Sequence, residues 1–176
     1  MDAKDLPPFE CKVCGECCRE DQAVWLSEAD LEALAQHLSL TLQALIDGRY
    51  VVMEEGQNGV VRAKMRFAST PVGKSCPFLV NDLDENHRLW GKCSLHETQA
   101  KPLVCRLAPL ARSVDVNTGE EEWRVVPPVL GCPGWEKGQE PPPEGWLISE
   151  PSLDEKIRRD LDKETEEFSR LSEHLK

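Results

Sequence analysis

The sequence predicts an α+β fold: a small, cysteine-rich, metal-centred domain with short helices, two β-hairpins and a long C-terminal helix. Three observations support this prediction. Four cysteines fall within residues 11–18, two segments of strand character flank a turn signal, and an amphipathic segment near the C-terminus begins with a helix-capping signal. Thiols this close together are typical metal ligands. We therefore expect a cysteine-cluster metal-binding domain over residues 1–149, followed by a C-terminal helix over 150–176.

The N-terminal cysteine run, residues 11–18, contains two successive C-x2-C steps and ends in adjacent cysteines. Gly15 lies where the chain must turn tightly, and glycine has no Cβ to forbid that turn. Thiols packed this closely have no good geometry for pairing with one another, because adjacent and i,i+3 disulfides are strained. Soft thiolates suit zinc or an iron–sulfur centre. The run therefore predicts metal ligands at Cys11, Cys14, Cys17 and Cys18.

Composition limits the class of protein. A chain of 176 residues is typical of one domain with a sizeable core. No apolar segment approaches membrane-spanning length, and the first residues lack the features of a signal peptide. We expect a cytoplasmic protein, in which reduced and clustered cysteines indicate metal binding or catalysis.

Charge is distributed unevenly along the chain. The net charge is -11, which argues against nucleic acid or an anionic membrane as a main partner. Residues 87–112 nevertheless carry five lysines and arginines against one acid, together with Cys93 and Cys105. Nearby cations would lower the pKa values of these thiols and offset the charge of a thiolate-bound centre. A basic patch without function is the alternative.

Capping signals predict the helices. Ser27 is a candidate N-cap before an amphipathic segment, and a second short helix is expected over 40–47, ended by Gly48. The capping box at 152–155 opens the long C-terminal helix. Packing of its apolar stripe on the body is the simpler interpretation. A surface for a protein partner is the alternative.

Turn signals predict two hairpins. Asn58-Gly59 lies between strands expected at 50–53 and 60–67. A second hairpin is expected between 78–80 and 88–90. Its two ends would bring Cys76 and Cys93 close together, as ligands of one centre should be.

The segment after Cys93 offers further candidate site residues. Pro102 suits the first position of a helix, which places Cys105 in a single helical turn. His96, three residues after Cys93, has the spacing of a ligand, although a hydrogen-bonding or surface role is also open. We expect the guanidinium of Arg106 to hydrogen-bond a carbonyl or thiolate at the site.

These motifs together resemble the YkgJ-type cysteine-cluster family. The resemblance implies a zinc- or iron-chelating domain, with all eight cysteines in its pattern. It also implies a distant similarity to the flagellin lysine methylase FliB, which uses an iron–sulfur centre. The motifs that carry it are C-x2-C-x2-C-C, Cys76-Pro77-Phe78-Leu79, Cys93-Ser94-Leu95-His96, Pro102-Leu103-Val104-Cys105-Arg106 and Cys132-Pro133.

The spacing of the cysteines bears on the metal. Cys11, Cys14 and Cys17 reproduce the first three ligands of the bacterial ferredoxin run, whose fourth position is Asp21 here. A fourth ligand must therefore come from a distant part of the chain. Zinc sites usually consist of paired C-x2-C steps, whereas the other four cysteines stand singly. The sequence therefore favours an iron–sulfur centre, 4Fe-4S, with zinc as the alternative.

The eight cysteines suit two centres, and adjacent side chains in an extended segment point apart. We expect one set made of Cys11, Cys14, Cys17 and Cys132. A second set would be Cys18, Cys76, Cys93 and Cys105. One centre with spare thiols, two structural zinc sites, and a redox switch that forms disulfides remain open.

Three classes of function follow. The first and favoured class is a redox or electron-transfer protein. The second is an enzyme, such as a FliB-like protein methyltransferase component. The third is a zinc- or iron-chelating structural or delivery module. The chain has no glycine-rich phosphate loop and no serine nucleophile elbow, which weakens the enzyme class.

Overall fold

The computed structural model describes residues 2–19, 22–56, 59–71, 73–83, 85–87, 89–115, 117–127, 129, 132–135 and 142–173. Within these ranges the helices are α1 (Glu28–Leu38), α2 (Leu42–Asp47), α3 (Leu103–Leu107) and α4 (Glu155–Glu173). The strands are β1 (Trp25–Leu26), β2 (Val51–Glu55), β3 (Val61–Met65), β4 (Ala68–Thr70), β5 (Gly73–Ser75), β6 (Leu79–Leu83), β7 (Leu89–Cys93), β8 (Leu110–Val114), β9 (Glu121–Val125) and β10 (Trp146–Ile148). This combination confirms the predicted α+β class.

The first sheet contains the first predicted hairpin. Its strands are antiparallel in the order β1-β3-β2, and Val51 opposes Met65 across the β2–β3 pair. Asn58 of the predicted turn lies outside the described residues, while Gly59 adopts a φ of 79°. The alternation of β3 buries Ala63 and Met65 on the core face.

The second predicted hairpin exists with longer strands than expected. β6 and β7 pair from Leu79 opposite Cys93 to Leu83 opposite Leu89. Cys93 is therefore the last residue of β7 and not a residue beyond it, because the pairing extends further on both strands than the apolar residues alone indicated. Cys76 lies just before β6, as predicted.

The strands β4, β5, β8 and β10 were not predicted from the sequence. β4 and β5 form a short hairpin, and β8, β9 and β10 form an antiparallel sheet with β9 in the centre. The polar turn between β8 and β9 contains Gly119, whose φ of 74° suits glycine. The sequence does predict a strand from Trp123 to Val126, and β9 starts two residues before it.

The observed helix starts follow their caps. Ser27 and Asp30 form a capping box at α1, where the sequence indicated Ser27 as the N-cap. Thr41 caps α2, which begins at Leu42, two residues after the expected start at residue 40. α4 begins at Glu155 and not at Leu153, because the Asp154 carboxylate accepts the N–H groups of residues 156 and 157 at 3.0 Å. Asp154, and not Ser152, is therefore its capping side chain.

α4 packs against the body of the protein. Leu161 on its inner face is 1% exposed, and Glu164 pairs with Arg62 of β3 at 2.8 Å. The Glu167 carboxylate accepts the Glu28 N–H at the start of α1 at 2.8 Å. A partner surface on this helix stays a prediction.

Two apolar clusters form the core. One surrounds Leu34 and Leu45 between α1, α2 and the first sheet, and Cys76 and Cys93 pack against it. The other surrounds Trp123 and Leu161 between α3, α4 and the β8–β10 sheet. In the described part of the chain, no helix is both long and apolar enough to cross a membrane.

Candidate metal centre

The N-terminal cysteine run bends at Gly15 and packs on the β6–β7 hairpin. Gly15 has a φ of 74°, and a Cβ there would lie 2.7 Å from Leu79 Cδ1 and 2.9 Å from Gly91 Cα. Only glycine fits this position, as the sequence indicated. A 3₁₀ turn, Glu16–Cys18, follows directly.

Backbone bonds hold the run against the strands that carry other cysteines. The Cys76 N–H donates to the Cys18 carbonyl at 2.7 Å, and the Gly91 N–H donates to the Cys14 carbonyl at 3.2 Å. Arg19 donates to the Cys14 carbonyl at 3.2 Å and to Asn81 Oδ1 at 3.1 Å. Sequence reasoning missed Arg19, whose only signal is its position directly after the run.

The side chains of Cys17 and Cys18 contact each other. The prediction that adjacent side chains in an extended or turn segment diverge was wrong about this contact. In the observed 3₁₀ turn, adjacent side chains are separated by about 120° rather than 180°. The Cys18 thiol hydrogen-bonds with the sulfurs of Cys17, Cys76 and Cys93. Cys18 is therefore the centre of this thiol group.

The acidities of these thiols differ because of Cys18. Its hydrogen bond is the main cause that lowers the pKa of Cys93 to about 6 and the pKa of Cys17 to about 7. The same contact lowers the pKa of Cys76. The pKa of Cys18 is raised, because ionisation would remove the proton that these hydrogen bonds share. Near neutral pH this favours thiolates at Cys93 and Cys17 beside a protonated Cys18.

Cys105 approaches the same group from α3. Burial raises its pKa, and the charges of Cys17, Cys76 and Cys93 raise it further. Pro102 is the N-cap of α3 and Leu103 its first residue, one position later than expected. Five thiols thus come together from four parts of the chain.

The remaining cysteines lie on the Cys14 side of the run. Burial raises the pKa of Cys132, and the thiolates of Cys14, Cys17 and Cys11 act in the same direction. An edge-to-face contact of Phe9 with Trp135, with ring centroids 5.0 Å apart, holds the Cys132 segment beside the run. Cys17 lies next to both groups.

A protein-family model matches the part of the chain that carries the N-terminal cysteine run. The model of the CxxCxxCC family matches residues 10–129, which is more than half of the chain. The chain belongs to the CxxCxxCC family. The description of that family proposes a zinc- or iron-chelating domain. The match ends before Cys132, so the prediction that all eight cysteines fall inside the family region was wrong for this one. No curated protein and no solved structure matches the chain.

The donor set of this CxxCxxCC domain is rich in free thiols. All eight cysteines are unpaired, and Cys11 alone among them is exposed. Among the residues that the structure describes, no group of three or more His, Cys, Asp or Glu side chains could hold a metal ion in its present arrangement. Cys17, Cys76 and Cys93 contact the Cys18 thiol. Their chemistry fits zinc or iron, and binding would require these side chains to turn.

Lys101 supplies positive charge to the group. Its ammonium lowers the pKa values of Cys17 and Cys93, although less than Cys18 does. Lys101 is one of the five basic residues in the segment that the sequence identified. His96 contacts Lys101 through Nδ1 at 3.2 Å, and burial lowers its pKa. His96 therefore has a lysine as its neighbour. Its role as a metal ligand stays a prediction.

Arg106 fixes the turn that carries Cys105. Its Nε donates to the Lys101 carbonyl at 3.1 Å, as predicted for a carbonyl at the site. Its Nη2 pairs with Asp160 of α4 at 2.8 Å. The second partner is thus a carboxylate of the C-terminal helix and not a thiolate.

Proposed function

We propose that this chain binds an iron–sulfur centre through its clustered thiolates and serves in electron transfer. The group around Cys18 carries this proposal. It brings five thiols together, and a single tetrahedral zinc needs four ligands. A donor set of sulfur alone, with more thiols than one metal atom needs, suits a polynuclear cluster.

The candidate ligands of the first centre are Cys18, Cys76, Cys93 and Cys105, with Cys17 beside them. Cys93 and Cys17, whose pKa values are lowered to about 6 and about 7, are already populated as thiolates near neutral pH, which is the form that binds metal. The pKa of Cys76 is lowered as well. Loss of the Cys18 proton would break its hydrogen bonds with Cys17, Cys76 and Cys93 and free these sulfurs to turn toward a metal. Lys101 would then offset part of the accumulated negative charge.

A second centre is proposed at Cys11, Cys14 and Cys132. Cys17 is near enough to complete it, since its charge acts on the pKa of both Cys132 and Cys105. Cys17 is the one thiol that either centre can recruit. We assign it to the second centre, because the first centre has four ligands without it.

Structural zinc or iron chelation is the second candidate function. One observation favours it. Four separate chain segments supply Cys18, Cys76, Cys93 and Cys105, and a closed four-cysteine site that links distant segments stabilises a fold. Such a site would be colourless with zinc. An iron–sulfur centre would absorb visible light.

The experiment is anaerobic purification followed by an absorption spectrum and by iron, zinc and acid-labile sulfide analysis. We expect iron and sulfide in similar amounts and a visible band. Cys18→Ser should lose most of the metal of the first centre. Cys11→Ser, at the exposed end of the run, should retain it. A colourless protein that contains zinc and no sulfide would reject the iron–sulfur proposal in favour of chelation.

A further inference from the structure

A cavity of about 300 Å³ lies between the two halves of the fold. Val104 and Leu107, on either side of Cys105 in α3, belong to its lining, whereas no cysteine among the described residues does. It opens between β1, β3, α3, β8 and α4. Most of its lining is apolar, with Leu107 and Leu161 in the interior and the rings of Trp25 and Phe168 on one side. Arg62 and Arg112 also line it, which is unusual for a cavity of this kind.

Arg112 is the polar group that distinguishes this cavity. Its side chain is 6% exposed. One terminal nitrogen donates to the Leu161 carbonyl at 3.2 Å and to Thr165 Oγ1 at 2.9 Å, and the other pairs with Glu121 at 2.5 Å. Its Nε has no hydrogen-bond partner among the described residues. A buried donor without an acceptor is unfavourable, so this N–H favours an oxygen ligand.

Arg62 places a second guanidinium at the cavity. Its Cζ lies 6.0 Å from the centroid of Trp25 and 5.7 Å from the centroid of Phe168. Glu164 accepts one of its N–H groups at 2.8 Å. Glu164 pairs with Arg62 and Glu121 pairs with Arg112, so each guanidinium at the cavity already has a carboxylate partner. The Arg112 Nε–H is the donor that remains for a ligand.

We propose that this cavity binds a small carboxylate that has an apolar body. The carboxylate would accept the Arg112 Nε–H in a charge-assisted hydrogen bond, which is about twice as strong as a neutral one. The apolar body would lie against Leu107, Leu161 and the two rings. The cavity is at the lower limit of ligand sites in size and corresponds to the volume of about ten water molecules. This site is independent of the thiol group and of the proposed metal.

The test uses isothermal titration calorimetry on the full-length protein as purified. The probe is 3-phenylpropionate, and 3-phenylpropanamide is its neutral analogue of the same size. We expect the acid to bind about tenfold more tightly than the amide or better, because only the acid forms the charge-assisted bond. In addition, the Arg112 Nε–H proton resonance, identified by its loss in Arg112→Lys, should move downfield with the acid.

A pair of valine variants controls for location. Val104 lines the cavity and is 41% exposed, so Val104→Trp can fill the cavity without overpacking the core. Val126 is 37% exposed and does not line it, which makes Val126→Trp the matched control. We expect the first variant to weaken binding about tenfold or more and the second to leave it unchanged. Equal binding of acid and amide, binding unaffected by Val104→Trp, or no binding of either probe because water alone occupies the cavity would each overturn the proposal.

Discussion

Cys18 controls the chemistry of the thiol group because one side chain contacts three others. A thiol is a weak hydrogen-bond donor. At a half-buried position, however, water cannot fully solvate a thiolate, so contact with Cys18 stabilises the thiolates around it. Neighbouring thiols therefore differ in how readily they ionise. Cys93 ionises easily, whereas Cys18 and Cys105 resist ionisation.

This difference predicts the effect of Cys18→Ala on the reactivity of Cys93. In the metal-free protein, alkylation of Cys93 by iodoacetamide should rise with pH around pH 6, because a lowered pKa leaves the reactive thiolate populated above that value. Cys18→Ala removes the hydrogen bond that is the main cause of the lowering. The midpoint should then rise by about one pH unit or more. Peptide mass spectrometry at several pH values measures it.

Cys18→Ser is the control for this prediction. A hydroxyl can still donate to the Cys93 thiolate, so its midpoint should remain near that of the parent. Equal midpoints in the parent and in Cys18→Ala would show that the hydrogen bond has no such effect.

Gly15 is the second residue on which the site depends. Gly15→Ala places a Cβ in contact with Leu79 and with the backbone of Gly91, and it also forces a left-handed φ on alanine. Gly119→Ala has the same φ of 74° with no atom within 4 Å of the new Cβ, so it isolates the cost of the backbone conformation. We expect Gly15→Ala to lower the free energy of unfolding by about 1–3 kcal/mol more than Gly119→Ala does. Urea denaturation measures both, and equal losses would contradict the packing argument.

At the scale of elements, Asp30 joins two helices. One carboxylate oxygen accepts the Ser27 N–H at 3.1 Å and closes the capping box of α1. The other accepts the Leu103 N–H at 2.9 Å at the start of α3. α3 has no capping side chain of its own, so Asp30 supplies its cap from another helix. The position of Cys105 therefore depends on α1.

This arrangement predicts a large effect of Asp30→Ala. The side chain is 5% exposed, so its removal leaves two buried N–H groups without an acceptor. We expect a loss of about 2–4 kcal/mol in the free energy of unfolding, together with faster alkylation of Cys105 under native conditions. Asp162→Ala, on the exposed face of α4, is the control and should change stability by about 0.5 kcal/mol or less. Cys105 reactivity that stays unchanged while stability falls would show that Asp30 stabilises the fold without positioning α3.

At the scale of the whole molecule, α4 ties the two halves together. The Glu167 carboxylate accepts the N–H of Glu28 at the start of α1, and Glu164 forms a salt bridge with Arg62 of the first sheet. On the other side, Asp160 pairs with Arg106 of α3, and the Leu161 carbonyl accepts from Arg112 of β8. α4 lies beyond the matched family region, residues 10–129, so these contacts join that region to a helix outside it.

Local patterns predicted the fold well, and long-range contacts limited the prediction of the site. The cap at Ser27 and the β2–β3 hairpin depend on residues close in sequence, and both were predicted. The contact between Cys17 and Cys18 depends on a 3₁₀ turn that no residue pattern indicated. The contact of Asp30 with Leu103 spans 73 positions and has no sequence signal.

The last prediction concerns metal and stability. The thiols around Cys18 come from four distant segments, so a metal held by them would close long loops and bind only the folded chain. A metal present at one thousand times its dissociation constant contributes about 4 kcal/mol. For a chain of this size that corresponds to about 8–16 °C in melting temperature. Removal of the metal by a chelator should lower the melting temperature by this amount in calorimetry, and return of the metal should restore it. The same chelator already saturated with the metal is the control and should leave the curve unchanged. Verified metal loss with an unaltered melting curve would mean that the thiol ligands do not contribute to folding.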